Sequence, residues 1–335
     1  MEELLAIKLR PKKLDEVIGQ KHLVGEDKIL YNLVKNKKLF SMILYGRPGI
    51  GKTSIALAIV NELDLKYRVL NAVINNKKDF DIVIEEAKMY NGLVLVMDEI
   101  HRLNKVVEEV LYPAMEDYAI DIIIGKGAGS KSIRIDIQPF TLIGATTRIG
   151  LLSSPLRDRF GIVDRLELYN EKQLIDIINR SAGILGMEIE PEGAAELAKR
   201  SRGTPRIANR FLKRVRDFAQ VMDKKSIDSE IIDKALSLME VDEIGLDKTD
   251  IALLKAIIYK FDGGPVGLDT LAAVIDEEKD TIEDVYEPYL MQIGFIKRTQ
   301  RGRVATANAY QHLGIPIKKE MLERSFFASS YFTWR

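Results

Sequence analysis

The chain has 335 residues with 50 Lys and Arg against 50 Asp and Glu, so its formal net charge is zero. A 46% hydrophobic and 30% charged composition excludes a disordered chain, and the length suits two or three domains. The absence of cysteine excludes disulfides and thiolate metal sites, and His22, His101 and His312 are too scattered for a histidine metal centre. No run approaches the roughly 18 consecutive apolar residues of a membrane helix, and Met1-Glu2-Glu3-Leu4-Leu5 lacks the positive start of a secretory signal. A cytoplasmic, multidomain protein without membrane contact is the expectation. Zero net charge does not argue against nucleic acid, because local patches decide that.

Residues 1–40 read as helical, with a break at Pro11. A short apolar strand, Met42-Ile43-Leu44-Tyr45, runs into the Gly-rich turn Gly46 to Gly51, and the pattern Thr53 to Leu63 predicts a helix after it. Leu93 to Met97 predicts a second buried strand ending at Asp98-Glu99, and Phe140 to Ala145 a third ending at Thr146-Thr147-Arg148. Continuous apolar runs between helical patterns predict a parallel sheet covered on both faces, with ligands at the carboxyl ends of its strands. Ile120 to Ile124 and Ile133 to Ile137, separated by the glycine-rich 125–130 stretch, predict a β-hairpin at about 120–137. The isoleucines Ile133, Ile135 and Ile137 suit a protein interface or the core equally. Residues 170–240 read as all helical. From 245 to 315, three short helices precede two strand patterns around Gly302, the order of a winged helix. The aromatic tail Phe326 to Arg335, with the single Trp334, has no pattern.

Gly46-Arg47-Pro48-Gly49-Ile50-Gly51-Lys52-Thr53 fits G-x-x-x-x-G-K-[ST], and its strand and helix context is what a phosphate loop requires. Glycines let backbone N–H groups converge on phosphate oxygens, Lys52 reaches the β- and γ-phosphates, and the Thr53 hydroxyl ligates Mg²⁺. Asp98 at a strand end suits water-mediated Mg²⁺ binding, and Glu99 polarisation of the attacking water. Thr146 or Thr147 is placed to hydrogen-bond the γ-phosphate or that water. Arg157 and Arg159 are candidates for an arginine finger reaching a neighbouring subunit, and Arg206 opens a helix that could contact the same phosphates. Arg200, Arg202, Arg210, Arg214 and Arg216 suit a solvated or DNA-facing surface. Lys297, Arg298, Arg301 and Arg303 would make a phosphate-contacting wing, although a solvated loop carries such charge too. These residues predict an enzyme that hydrolyses a nucleoside triphosphate.

Asp98-Glu99-Ile100-His101-Arg102-Leu103, Glu109 to Tyr118, Gly144-Ala145-Thr146-Thr147-Arg148, Ser154 to Gly161, Arg202 to Arg210 and Gly263 to Leu268 resemble the RuvB family. RuvB proteins are AAA+ motors that drive branch migration of Holliday junctions in recombination and repair. Ile18 to Gly25 and Ser41 to Gly46 look more like RarA, a related AAA+ family acting at stalled forks. Arg47 stands where Pro is usual, so the chain reads as a mosaic. The resemblance implies an α/β AAA+ P-loop domain with a parallel sheet (1–167), a helical lid (168–243), a C-terminal winged helix (244–318) and a tail (319–335).

The resemblance also implies site residues. Leu9 and Arg10 would flank the adenine of ATP. Gly49, Gly51, Lys52, Thr53 and Ser54 would hold its phosphates, with Thr53 and Asp98 on Mg²⁺. Thr146 would be the sensor on the third strand, Arg159 the finger, Arg206 the sensor of the lid, and Tyr169 a pocket residue. Glu116, Asp117 and Tyr118 would lie near the nucleotide. Lys279, Arg298 and Arg303 match DNA-contacting positions, and the hairpin matches the one that docks on RuvA. The implied assembly is a homohexameric ring on DNA, with RuvA holding the junction and RuvC resolving it. Two rivals stand beside this reading. One is a RarA-like fork-remodelling ATPase, which would carry a tetramerising region instead of residues 245–315. The other is an ATP-switched DNA-loading adaptor, against which Glu99, Thr146 and Arg159 favour turnover.

Overall fold

A computed structural model describes residues 5–75, 77–90, 93–124 and 131–317. The 125–130 turn and the aromatic tail lie outside the described residues. The chain forms two compact units, 1–229 and 230–335. No helix among the described residues is long and apolar enough to cross a membrane.

The first unit is built on five strands: β1 (Met42–Tyr45), β2 (Tyr67–Asn71), β3 (Leu93–Asp98), β6 (Phe140–Thr146) and β7 (Ile162–Arg165). They form one parallel sheet in the order β2-β3-β6-β1-β7. Met42, Ile43, Leu44, Leu95, Val96, Leu142 and Ile143 are wholly buried, as continuous apolar runs require when helices cover both faces. The helix Lys52–Glu62 buries every side chain from Ile55 to Val60. The order places β1 and β3 on either side of β6, so the phosphate loop, the acidic pair and the Thr146-Thr147 corner emerge at one end. Strands β2 and β7 escaped the sequence reading. The first half of β2 is exposed and β7 alternates, so neither carries a buried apolar run.

The inserted hairpin is β4 (Ala119–Ile124) paired antiparallel with β5 (Lys131–Asp136). Its isoleucines divide between the two readings: Ile133 and Ile135 are exposed, whereas Ile137 is buried in the core beside Phe80 and Val83. The all-helical stretch follows. Asn170 caps the helix Glu171–Leu185 in a reciprocal box with Gln173, and Gly186 ends it in the left-handed region. The helices Pro191–Arg200 and Pro205–Val221 come next, with a short parallel pair, β8 (Glu188–Ile189) and β9 (Ser226–Ile227).

In the second unit the helices Lys248–Lys255, Leu268–Ile275 and Glu287–Gln292 surround Leu253, Ile257, Leu271 and Leu290, all wholly buried. Strands β10 (Ile296–Thr299) and β11 (Gly302–Ala305) form the antiparallel ribbon expected of a wing. The backbone of Val266 pairs with that of Arg303 along its edge. The approach is so close that a Cβ on Gly302, whose φ is +135°, would lie 2.3 Å from the Val266 carbonyl oxygen.

Candidate active site

Strand β1 delivers the chain into a loop where Gly46, Gly49 and Gly51 take φ of +147°, +77° and +101°. Lys52 then starts the helix, so successive backbone N–H groups point into one concavity. A Cβ on Gly49 would stand 2.8 Å from the Thr204 methyl and 2.9 Å from Arg206 Cβ. The opening of the helix Pro205–Val221 thus presses on the phosphate loop, and the Arg206 N–H donates to the Gly49 carbonyl at 3.2 Å.

Lys52 is 7% exposed, and its ammonium donates to the carbonyls of Gly46 and Arg47, both at 2.9 Å. Burial pulls its pKa down to about 8, while Glu99 and Asp98 favour the charged form and Arg206 opposes it. The acidic pair closes β3. The Glu99 N–H donates to the Asp98 carboxylate at 3.1 Å, and Glu99 itself sits at φ +50°, a conformation that non-glycine residues adopt mainly where surroundings impose it. Its Oε2 lies 3.4 Å from His101 Nδ1 and accepts from the Thr147 hydroxyl at 3.4 Å.

Together these elements line a cleft of about 630 Å³. Leu9, Arg10, Gly49, Gly51, Lys52, Thr53, Ser54, Asp98, Glu99, Tyr169 and Arg206 all lie on its wall. Tyr169 is buried, which pushes its hydroxyl up, and that hydroxyl bonds to Gln20. Two further residues organise the cleft without any motif to announce them. The Arg180 guanidinium donates to the Leu9 carbonyl at 2.9 Å and to Glu16 at 2.7 Å, fastening the N-terminal segment to the helix Glu171–Leu185. The Gln20 amide exchanges two bonds with the backbone of Glu167, at 2.8 and 3.0 Å.

Several expected residues are elsewhere. Thr146 is wholly buried, and its hydroxyl is shared with His101 Nδ1 at 2.8 Å and accepts the Arg148 N–H at 3.0 Å. Side chains alternate along a strand, so it is the next residue, Thr147, that reaches Glu99. Glu116, Asp117 and Tyr118 end the helix Lys105–Glu116 outside the cleft of their own chain. Glu116 pairs with Arg159 at 3.0 Å, and Asp117 pairs with Arg134. Arg159 also lies outside that cleft.

In the second unit Lys297, Arg298 and Arg301 are exposed. Arg298 pairs with Glu283 at 3.2 Å, and Lys279 pairs with Asp269. Arg303 departs from its expected role: it is 7% exposed, and its guanidinium makes two bonds, at 3.1 and 2.7 Å, to Oε2 of the buried Glu287. Its neighbour across the ribbon, Arg298, is exposed, although the two are directly opposed and so share a face.

The family model of the Holliday junction DNA helicase RuvB P-loop domain matches residues 9–166. The RuvB AAA lid domain matches residues 169–242, and the RuvB C-terminal winged helix domain residues 243–314. The chain belongs to the RuvB family. The Holliday junction branch migration complex subunit RuvB of Ligilactobacillus salivarius (strain UCC118) is 55% identical over 321 residues, covering 95% of each chain. The solved Thermotoga maritima RuvB Holliday junction branch migration motor is 46% identical, with a TM-score of 0.82 over 93% of this chain and all of that one. A variant of the same protein superposes with a TM-score of 0.83 at 46% identity, over 92% of this chain and 100% of that one. The RuvB match begins at residue 9, so the first hundred residues belong to the same family as the rest. The RarA-like wording around Ile18 to Gly25 does not make the chain a mosaic.

Proposed function

We propose that the chain is the ATP-driven motor of a Holliday junction branch migration complex. It would work in the cytoplasm as a homohexameric ring on DNA, with RuvA seating it on the junction and RuvC acting on the product. Its parts would be an ATPase domain (1–167), a lid (168–243), a winged helix (244–318) and a tail (319–335). The exposed Ile133 and Ile135 edge of the hairpin would be the RuvA contact.

The observation that carries this reading is the bond from Arg206 to Gly49, which joins the lid helix to the loop that would cradle the phosphates. A change of occupant in the cleft therefore bears directly on the lid, the coupling a motor needs. Among the described residues no cluster of three or more His, Cys, Asp or Glu could cage a metal, which suits Mg²⁺, an ion held by one or two protein oxygens plus phosphate and water. Thr53 and Asp98 would hold Mg²⁺, which neutralises charge on the β- and γ-phosphates. Glu99 Oε2 would accept the proton of the attacking water, with Thr147 and His101 fixing its carboxylate. Lys52 would exchange its two loop carbonyls for phosphate oxygens, and Arg159 would serve the triphosphate of the adjacent subunit.

The deciding experiment is ATP-dependent dissociation of a synthetic four-way junction, with and without RuvA, using Lys52→Ala as the blank. RuvA-stimulated dissociation that vanishes in the blank is expected. ATP turnover without junction movement would overturn the motor reading.

A further inference from the structure

Arg159 does not hang free in solvent. Its Nη1 donates to the Pro155 carbonyl at 2.5 Å, its Nη2 to Glu116 at 3.0 Å, and its guanidinium carbon lies 4.5 Å from the centroid of the Tyr112 ring. Its Nε is buried without a hydrogen-bond partner, and the side chain is only 20% exposed. The ring beneath it is itself fixed. The Tyr112 hydroxyl donates to Glu108 at 2.7 Å, and Ser153, which caps the short helix Ser154–Arg157, bonds the same carboxylate. Two helices that meet here, Lys105–Glu116 and Ser154–Arg157, therefore build a seat: a carbonyl, an aromatic face and one carboxylate. The carbonyl and the ring orient the guanidinium plane without opposing charge. Glu116, 53% exposed at the helix end, is different in kind, because it neutralises the very charge a triphosphate would use.

We propose that Glu116 is a positioning residue that competes with the neighbouring subunit's triphosphate for Arg159, so that an idle ring keeps its finger partly withheld. The proposal rests on Arg159 acting in trans. A half-exposed ion pair is weak, worth at most about a fivefold bias in population. Glu116 thus tunes the finger and does not lock it.

The test is ATP turnover by the full chain without DNA, read alongside the affinity for a fluorescent ATP analogue. Glu116→Gln keeps the shape and removes the charge, and it should raise kcat about two- to fivefold with affinity unchanged. Glu116→Asp, which restores the charge, should return turnover toward the parent value. The effect must also cross the interface. Rings mixing the parent chain with a Lys52→Ala, Glu116→Gln double variant should turn over faster per intact site than rings mixed with Lys52→Ala alone. Turnover of Glu116→Gln at or below the parent level, or a gain confined to the subunit carrying the change, would overturn the proposal. Arg159→Ala separates the two layers. If it retains hydrolysis, the trans-finger reading itself falls. If it abolishes hydrolysis while Glu116→Gln changes nothing, only the withholding falls.

Discussion

Lys52 shows how a single buried charge can prepare a site for its ligand. Its ammonium is desolvated and satisfied only by two neutral carbonyls, which hold it less firmly than phosphate would. Bound triphosphate should therefore raise its pKa above about 8. The sign follows from that difference. Below pH 8 the lysine is charged in both states and affinity is flat. Above pH 8 binding must take up a proton, and affinity for an ATP analogue should fall about tenfold per pH unit. A titration between pH 7 and pH 10 checks this, and Lys52→Arg, which stays charged throughout, should flatten the curve. The neighbouring pair Thr146 and Thr147 carries a similar lesson. One strand step sends the first hydroxyl into the core against His101 and the second toward Glu99.

In the wing, the two directly opposed arginines Arg303 and Arg298 differ in setting, one buried and one exposed. Arg303 and Glu287 are 9% and 3% exposed as side chains, and Glu287 Oε1 is buried without a partner. Glu287→Ala would strand a buried guanidinium and should cost the second unit about 3–5 kcal/mol in denaturant unfolding. Arg298, whose side chain is 54% exposed and paired with Glu283, has the opposite profile. Arg298→Ala should leave stability nearly unchanged, weaken duplex binding across sequences and reduce the salt slope of binding by about one. If Arg303 were instead the DNA contact, its replacement by Met would change the salt slope more than the stability.

At the scale of the whole chain, every residue lining the nucleotide cleft lies within 1–229. A non-hydrolysable ATP analogue at about one hundred times its Kd should stabilise that unit by about 2.7 kcal/mol. In calorimetry it should raise the melting of that unit and leave the transition of 230–335 in place. Local pattern determined much of this protein. The strand into Gly46, the acidic end of β3, the hairpin alternation and the cations around Gly302 each write their structure within ten residues, because phosphate loops, buried strands and ribbons are set by neighbouring backbone and side chains. Tertiary packing decided the rest. It set the exposed edge strand β2, the fastening of Leu9 by Arg180, the choice of Thr147 over Thr146, the burial of Arg303 and the seating of Arg159 on Tyr112 and Glu116. Each of these depends on partners distant in sequence, from 16 positions for Arg303 to 171 for Arg180, and only folding brings such partners within hydrogen-bond reach.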